Sequence, residues 1–282
     1  MTGTPQLRQD GVMILPSAPS PALSILSQNI RMDTGTTRPG EPDHWGQRAP
    51  VLVDLLRTAD PDVVGALEVL PSQLPVLEDA LASTHLRLGF GREGGGRDEH
   101  NLLFLRRERF ELLGWDQFWL SEQPELMGSV GWDGHCPRIA VWARVQDQDT
   151  GRELLIAVTH LDHAGPLARM NGAALVARRL LEAADGAPVI LMGDFNADSG
   201  ASPAWEVLRE AGFEDARQNA AQIHGEDIGT FPDYGEPTTD GPRIDWIMTR
   251  GVAVDAYAAH SHDVDGIQAS DHAGVMAQLR AL

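Results

Sequence analysis

The chain has 282 residues and a formal net charge of −19, with 41 acidic side chains against 22 basic ones. All 22 basic side chains are arginine, so no lysine is available for a Schiff base, an amine nucleophile or a phosphate-loop ammonium. Extended duplex DNA matches this charge poorly, because proteins that hold a duplex through many phosphates carry a basic face. The net charge does not exclude a local basic cleft inside an acidic protein.

The hydrophobic fraction of 42% is enough for a sizeable core, and the length allows one large or two modest domains. The single cysteine, Cys136, has no partner for an internal disulfide. No apolar stretch approaches the roughly 20 residues of a membrane helix, and the first residues do not have the pattern of a signal peptide. We therefore expect a cytoplasmic protein without membrane insertion.

The elements are predicted in chain order from hydrophobic periodicity. Residues 1–22 contain four prolines and little periodicity, which predicts a poorly ordered arm before a single domain at residues 23–282. From Leu23 onward, short apolar runs bounded by Gly, Pro and Asp predict about ten strands: LSILSQNI, VVGALEV, LRLGF, NLLFLR, RIAVWARV, LLIAVTHL, VILMGDFN, RIDWIMTR, VAVDAYA and AGVMAQL. Three-four spacing predicts helices over residues 47–58, 167–181 and 203–211. This pattern indicates one α/β domain of two mainly antiparallel sheets packed together, with helices outside.

Six places combine an apolar strand with a carboxylate, an amide or an imidazole near its end. They are Asn29, Glu68, His160, Asp194 with Asn196, Asp245, and Asp271 with His272. A single acidic residue there is more often a turn, a cap or half of an ion pair than a catalyst. Six such places favour convergence on one pocket, because sites lie at the ends of rigid strands. A buried carboxylate such as that of Asp194 also needs a compensating charge.

Six segments, in their order along the chain, resemble the signature of the endonuclease/exonuclease/phosphatase (DNase I-like) superfamily. They are NIR, the glutamate of LEV, THLDH, GDFN, the ID of RIDWI and SDH. The resemblance runs from about Ser24 to Leu279. A narrower likeness to a bacterial branch is carried by NIRMDTG, HWGQR, GFGREGGG, FWLSEQP, GSVGWDGHCPRIAVWAR and THLDHAGPLAR. Two departures, Leu67 where many relatives have glutamine and no lysine after Arg48, touch no residue assigned to the chemistry.

The resemblance implies a four-layer α/β sandwich and phosphoester hydrolysis assisted by Mg²⁺, with Mn²⁺ as a substitute. Hard oxygen ligands without cysteine are consistent with Mg²⁺ rather than Zn²⁺. Glu68, with Asn29 and Asp271 directly or through water, would hold the metal ion. The cation would compensate the buried carboxylates.

The resemblance also implies roles for the remaining residues. Asp194 would orient and deprotonate the attacking water, and Asn196 would donate its amide to the phosphate or the nucleophile. His160 and His272 would bind the phosphate, while Asp245 would hold the ring of His272 in one tautomer. No covalent intermediate is needed.

Substrate binding is assigned to Arg138, because a guanidinium matches phosphate geometry and stays charged. A structural salt bridge is an equal alternative for Arg138, and Arg31 is predicted to be structural. Glu99 and Asn101, after the glycine loop, are weaker candidates for the pocket border. In GFGREG no helix follows, which argues against a dinucleotide site, and in HLDH the second histidine, His163, is predicted to be a loop residue rather than a zinc ligand.

The predicted function is hydrolysis of a phosphodiester or phosphomonoester by in-line attack of an activated water. The acidic charge favours a small phosphorylated molecule or a nucleic-acid end as substrate. A nuclease acting on DNA or RNA is one alternative, since the fold does not choose the substrate. A catalytically silent binding or scaffold protein on the same fold is the other.

Overall fold

The computed structural model describes residues 6–7, 13–226 and 228–282. The strands are β1 (Gln6–Leu7), β2 (Met13–Ile14), β3 (Leu23–Asn29), β4 (Val63–Val69), β5 (His85–Leu88), β6 (His100–Arg106), β7 (Phe110–Trp119), β8 (Ile139–Asp147), β9 (Glu153–His160), β10 (Val189–Asp194), β11 (Glu214–Asp215), β12 (Gln222–His224), β13 (Asp245–Arg250), β14 (Val252–His260), β15 (Asp263–Val264), β16 (Ile267–Gln268) and β17 (Gly274–Ala281). The helices are α1 (Trp45–Ala59), α2 (Leu74–Leu81), α3 (Pro166–Ala184), α4 (Pro203–Glu210) and α5 (Ala216–Asn219).

Two large sheets form the centre of the fold. One has six strands in the order β11-β13-β10-β9-β8-β7, and the other has seven in the order β12-β14-β17-β3-β4-β6-β5. Only β9 with β10, β3 with β4, and β12 with β14 pair in parallel among the described strands of these two sheets. The predicted architecture of two mainly antiparallel sheets is therefore confirmed.

Three apolar layers hold the sheets and helices together. The inner faces of the two sheets bury one cluster, which includes Ile25, Val158 and Met192. A second cluster lies between the seven-stranded sheet and the helices α1 and α2, and a third lies between the six-stranded sheet and the helices α3 and α4. This stacking of helices, sheet, sheet and helices is the predicted four-layer sandwich.

The three predicted helices are confirmed as α1, α3 and α4, and α4 begins after Ser202, whose hydroxyl caps it. The structure adds α2, with eight residues, and α5, which has four residues and is too short for a periodic signal. It also adds β7, an edge strand whose buried residues lie only at its two ends. An edge strand that is exposed along its middle needs no apolar run, so the sequence pattern did not indicate it.

The predicted arm, residues 1–22, falls partly outside the described residues. Within its described part, Ile14 and Leu15 are buried in the cluster that α1 covers, and Pro16 O accepts a hydrogen bond from Gln278 Nε2. The division of the chain at residues 22 and 23 stays a prediction. Among the described residues, no helix combines the length and the apolar character that crossing a membrane requires.

One fully buried arginine on α1, Arg48, joins two loops. Its guanidinium donates to Ile30 O at 2.7 Å and to Arg31 O at 3.1 Å, in the loop after β3. It also donates to Ala269 O at 3.2 Å, in the loop before β17, and forms an ion pair with Asp43 at 3.2 Å. Arg48 therefore fixes the separation of the loops that leave β3 and enter β17.

We expect Arg48→Lys to lower the free energy of unfolding by about 2–3 kcal/mol, because an ammonium cannot reach all of these carbonyls and buried acceptors lose their donors. Urea unfolding followed by circular dichroism measures the loss. The matched control is Arg57→Lys, on the exposed face of the same helix, which should unfold at the wild-type urea concentration. An unchanged midpoint for Arg48→Lys would contradict the role of this side chain.

Candidate active site

Three neighbouring strands of the six-stranded sheet carry polar side chains in one row. Asp194 at the end of β10 lies opposite His160 of β9 and opposite Asp245 of β13. Residues in register share a face of the sheet, and alternation gives Asp194 the same face as Ile190 and Met192. These two side chains belong to the core between the sheets. The carboxylates of Asp194 and Asp245 and the imidazole of His160 therefore lie at the edge of the apolar core.

The turn after β10 is shaped by Asp194 and Asn196. Asn196 has a positive φ of 48°, and its backbone N–H donates to Asp194 Oδ1 at 2.8 Å. Its side-chain nitrogen donates to Leu161 O at 3.0 Å and lies 3.0 Å from His160 Nε2. Before them, Gly193 has a φ of 150°, and a Cβ there would lie 1.8 Å from Thr159 O. The GDFN motif thus needs glycine for the close approach of β9 and β10.

Asn29 and Glu68 come to the same place from the seven-stranded sheet. Asn29 Nδ2 donates to Glu68 Oε1 at 2.9 Å and to Asp194 Oδ2 at 3.1 Å, so one amide connects the two sheets. The oxygen of this amide accepts the N–H of Arg31 at 2.9 Å. The other oxygen of Glu68 accepts the N–H of Met32 at 3.0 Å. Asn29 therefore meets the carboxylates as a donor, and its predicted role as a metal ligand stays a prediction.

The backbone at Glu68 is unusual for a residue inside a strand. Its φ is 61°, in the left-handed region, and the pairing of β4 with β6 shifts register between Ala66 and Val69. A bulge of this kind re-aims a side chain. It turns Glu68 towards Asn29, and such a conformation persists only where its surroundings stabilise it.

His272 completes the cluster from the loop before β17. Its Nδ1 lies 2.9 Å from Asp245 Oδ2, and its Nε2 lies 3.8 Å from Asp194 Oδ2. The ring of Phe231 packs against it with a centroid distance of 4.8 Å. Asp245 therefore holds one nitrogen of the ring while the other faces Asp194.

Burial and charge separate the pKa values of these groups. Burial, and after it the Asp245 carboxylate, raise the pKa of Asp194 to about 7. Burial opposes protonation of His272, but the carboxylates of Asp245 and Asp194 raise its pKa to about 10. Burial followed by the charge of Arg138 lowers the pKa of His160 well below its usual value. Near neutral pH the site thus holds a protonated His272, a neutral His160 and a carboxyl poised to exchange a proton.

One group of side chains here could hold a divalent cation, and of the predicted ligands Asn29, Glu68 and Asp271 it contains Glu68. Glu68, Asp194 and His272 each offer a ligand atom, all within 4.8 Å of one another. Asp271 lines the same cavity, accepts from Ser270 Oγ at 3.1 Å and lies 3.6 Å from Arg31 Nε. Burial is the main cause that raises the pKa of Asp271, as it does for Asp194. The carboxylate oxygens of Glu68, Asp194 and Asp271 suit Mg²⁺ or Mn²⁺.

A second cluster with metal-ligating side chains contains Cys136, Asp162 and His163. The Asp162 carboxylate accepts the backbone N–H groups of His135, Ala164 and Gly165 at 2.7–2.9 Å, so it caps its own loop. Its pKa is lowered although burial alone would raise it, because these N–H groups stabilise the charge. His163 Nδ1 lies 2.9 Å from Arg138 Nη2. His163 lies in the loop after β9, where the Arg138 guanidinium places a positive charge beside its ring.

The catalytic candidates lie on one side of a cavity of about 600 Å³. The cavity brings together His160, Asp194, Asn196, His272, Glu68, Asp271 and Arg138, while Asp245 lies behind His272 and Asn29 between the two sheets. The sequence analysis placed Glu99 there only weakly and Arg92 not at all. Arg92 is inside GFGREGGG, where the loop conformation, not a periodic pattern, positions it. Phe231 was missed for the same reason.

The chain resembles known proteins over most of its length. A model of the Endonuclease/Exonuclease/phosphatase family matches residues 26–272. An endonuclease/exonuclease/phosphatase from Bacteroides vulgatus is 31% identical, with a TM-score of 0.85 over 93% of this chain and 99% of that one. A mannosyl-6-phosphatase from Bacteroides thetaiotaomicron is also 31% identical, with a TM-score of 0.82 over 91% of this chain and 99% of that one.

Among curated proteins, the Protein angel of Drosophila melanogaster is 24% identical over 236 residues. The match covers 80% of this chain but only 64% of that relative. The family model extends from β3 to the histidine before β17, and so includes most strands of both sheets and every polar side chain of the site from Asn29 to His272. The chain therefore belongs to the Endonuclease/Exonuclease/phosphatase family.

Proposed function

We propose that the protein is a divalent-metal-dependent phosphoester hydrolase that acts on a small phosphorylated molecule or on a nucleic-acid end. One observation carries the proposal. Asp194 is a buried carboxylate with a pKa of about 7, and it lies 3.8 Å from a histidine with a pKa of about 10. A base and a cationic donor side by side can remove a proton from water and hold a phosphoryl oxygen at the same pH.

Each residue then has a role that follows from its contacts. Asp194 accepts the proton of the attacking water, and Asn196 keeps Asp194 Oδ1 in place through its backbone N–H. His272 donates from Nε2 to a phosphoryl oxygen, while Asp245 holds Nδ1. His160, which is neutral, presents a further ring nitrogen to the phosphate.

The metal ion, when bound by Glu68 with Asp271 and Asn29, would polarise the phosphoryl oxygen and offset the charge that develops there. Burial alone would raise the pKa of Glu68. Two hydrogen bonds, from Asn29 and from the N–H of Met32, favour the charged carboxylate and hold its pKa below the usual value. Glu68 therefore keeps its negative charge at neutral pH.

A small substrate is favoured over extended nucleic acid. The net charge of −19 opposes a polyanion. The arginines of the cavity are already matched by carboxylates, since Arg92 pairs with Asp98 and Glu99. The similarity to a protein described as a mannosyl-6-phosphatase supports a small phosphorylated molecule as well. A cytoplasmic location without membrane insertion is part of the proposal.

We test this function by measuring the hydrolysis of bis(p-nitrophenyl) phosphate and of p-nitrophenyl phosphate. Each compound is assayed with Mg²⁺, with Mn²⁺ and with EDTA. We expect release that requires the metal ion and disappears in Asp194→Ala. The ratio of diester to monoester turnover distinguishes a nuclease-like enzyme from a phosphatase. If neither compound is hydrolysed above the level of the variant, titration calorimetry with Mn²⁺ separates a demanding specificity from a silent scaffold, because a scaffold without the metal pocket binds no Mn²⁺.

A further inference from the structure

Thr230 is a fully buried residue on the loop between β12 and β13. We infer that Thr230 is a positioning residue, which fixes the place of Asp245 relative to His272. Thr230 is not among the residues that line the cavity, so it acts only through the residues that it holds. This inference rests on the proposed function, in which His272 binds a phosphoryl oxygen and Asp245 holds the ring of His272.

Thr230 forms hydrogen bonds to both sides of this pair. Its Oγ1 accepts the backbone N–H groups of Ile244 and Asp245, both at 2.9 Å. A hydroxyl oxygen has two lone pairs, so it can accept both of these bonds. The carbonyl oxygen of Thr230 accepts the N–H of Ala273, the residue directly after His272, also at 2.9 Å. One buried residue therefore connects the chain at Asp245 to the chain at His272.

The carboxylate of Asp245 depends on its backbone for its orientation. Its Oδ2 lies 2.9 Å from His272 Nδ1, whereas its Oδ1 is buried without a hydrogen-bond partner among the described residues. Carboxylates that orient a histidine ring are usually held by further hydrogen bonds of their own. At Asp245, the first residue of β13, the bond from the backbone N–H to Thr230 serves this purpose. A shift of the backbone at this residue would therefore move the carboxylate away from the ring.

His272 is also held from other directions. Its backbone N–H donates to Ser270 Oγ, and its carbonyl oxygen accepts from Gln28 Nε2, both at 3.2 Å. These two contacts do not involve the hydroxyl of Thr230. Loss of that hydroxyl should therefore displace Asp245 more than His272, and so change the distance between the two side chains.

The loop that carries Thr230 is well placed to act as a fixed support. The backbone N–H of Thr230 donates to Pro242 O at 3.0 Å, close to the start of β13. The next residue, Phe231, packs its ring against His272, with 4.8 Å between the ring centroids. Small displacements of catalytic groups are costly, because the reacting atoms must meet in a narrow range of geometries.

Thr230→Val tests the inference, because valine is close to threonine in size but has no oxygen to accept the two N–H groups. With Mg²⁺ and a p-nitrophenyl ester, we expect kcat to fall about 10–100-fold while KM changes less than about threefold, since only the chemical step loses its geometry. Thr230→Ser keeps the hydroxyl and should restore most of the wild-type kcat. Thr249→Val is the matched control, since Thr249 is a buried threonine near the other end of β13, and it should keep the wild-type kcat.

Nuclear magnetic resonance provides a second measurement that needs no activity. A proton held between His272 Nδ1 and the Asp245 carboxylate forms a charge-assisted hydrogen bond, which should move its resonance far downfield of the backbone amides. Histidine-labelled protein in EDTA near neutral pH is used, and His272→Gln assigns the resonance by its absence. We expect the wild-type resonance in Thr230→Ser and Thr249→Val, and a resonance that is shifted upfield or lost in Thr230→Val.

A lower kcat in Thr230→Val with an unchanged resonance would overturn the inference, because the loss would then arise elsewhere. An unchanged kcat, or no downfield resonance in the wild type, would overturn it as well. If the wild type hydrolyses neither ester, the proposed function fails by itself, and the resonance decides alone: a shift or loss in Thr230→Val supports the inference, and no change refutes it. If Thr230→Val does not fold, Thr230→Cys replaces it with the same expectations, because sulfur is a weak acceptor.

Discussion

Replacement of Asp194 by Asn is expected to lower kcat/KM for phosphoester hydrolysis by about 10²–10⁴-fold, the contribution of a positioned general base. Asparagine keeps the size of the side chain and the acceptor for the N–H of Asn196, but it cannot take a proton from water. The assay with Mg²⁺ and p-nitrophenyl esters measures the loss. Asp185→Asn, at the exposed end of α3, is the matched control and should keep wild-type activity.

Asp194→Asn is expected to melt at a higher temperature than the wild type when EDTA is present at pH 8. The folded-state pKa of Asp194, about 7, lies above its ordinary value of 3.8. The folded state therefore binds more protons than the unfolded state between these values, and stability falls as pH rises through this window. At pH 8 asparagine removes the cost of holding an ionised carboxylate in the folded state. At pH 4 it gives no such gain, because the Asp194 carboxyl is then protonated in the folded state. A variant that keeps a tenth of the activity, or that melts below the wild type at pH 8, would contradict the assignment of Asp194.

The second large effect is expected at Gly193. In Gly193→Ala the new Cβ would lie 1.8 Å from Thr159 O, a backbone atom of the neighbouring strand. The φ of 150° is also one that side chains rarely adopt. Because β9 and β10 are central strands of the six-stranded sheet, they cannot separate without breaking their pairing. We expect a loss of about 4 kcal/mol or more in the free energy of unfolding, out of the 5–15 kcal/mol typical of a domain.

Urea unfolding measures this loss, and soluble expression gives a first indication of it. Gly114→Ala in β7 is the matched control, because a Cβ there meets no atom within 4 Å. Its midpoint should shift little or rise slightly. If Gly193→Ala unfolds at the same urea concentration as the wild type, the close approach of the two strands at this residue is wrong.

Much of the site was predictable because its residues follow apolar strands. Asp194 and His160 end two strongly apolar runs, so the pattern marks both the strand and the polar residue at its end. The alignment of these ends was not predictable from the pattern alone, since it depends on strand order and register. The family resemblance supplied that information.

Residues on irregular segments were the least predictable. Arg92 and Phe231 reach the cavity from loops, and no periodicity marks a loop residue that points inward. The orientation of Asn29 was also beyond the sequence, because it depends on the hydrogen bond that the backbone N–H of Arg31 donates to Asn29 Oδ1, and no periodicity marks such a contact. The left-handed conformation of Glu68 follows from a bulge whose partner strand, β6, lies more than thirty residues further along the chain.

The aligned row of His160, Asp194 and Asp245 lies on three hydrogen-bonded strands, whereas Arg92, Glu99, Arg138 and His163, which line the same cavity, lie on loops. A one-residue insertion in any of these strands would turn its polar side chain to the opposite face. Loops tolerate insertions and substitutions far better. Mutational drift is therefore expected to change the loop residues of the cavity many times, while the row on the three strands is inherited intact or lost in a single step.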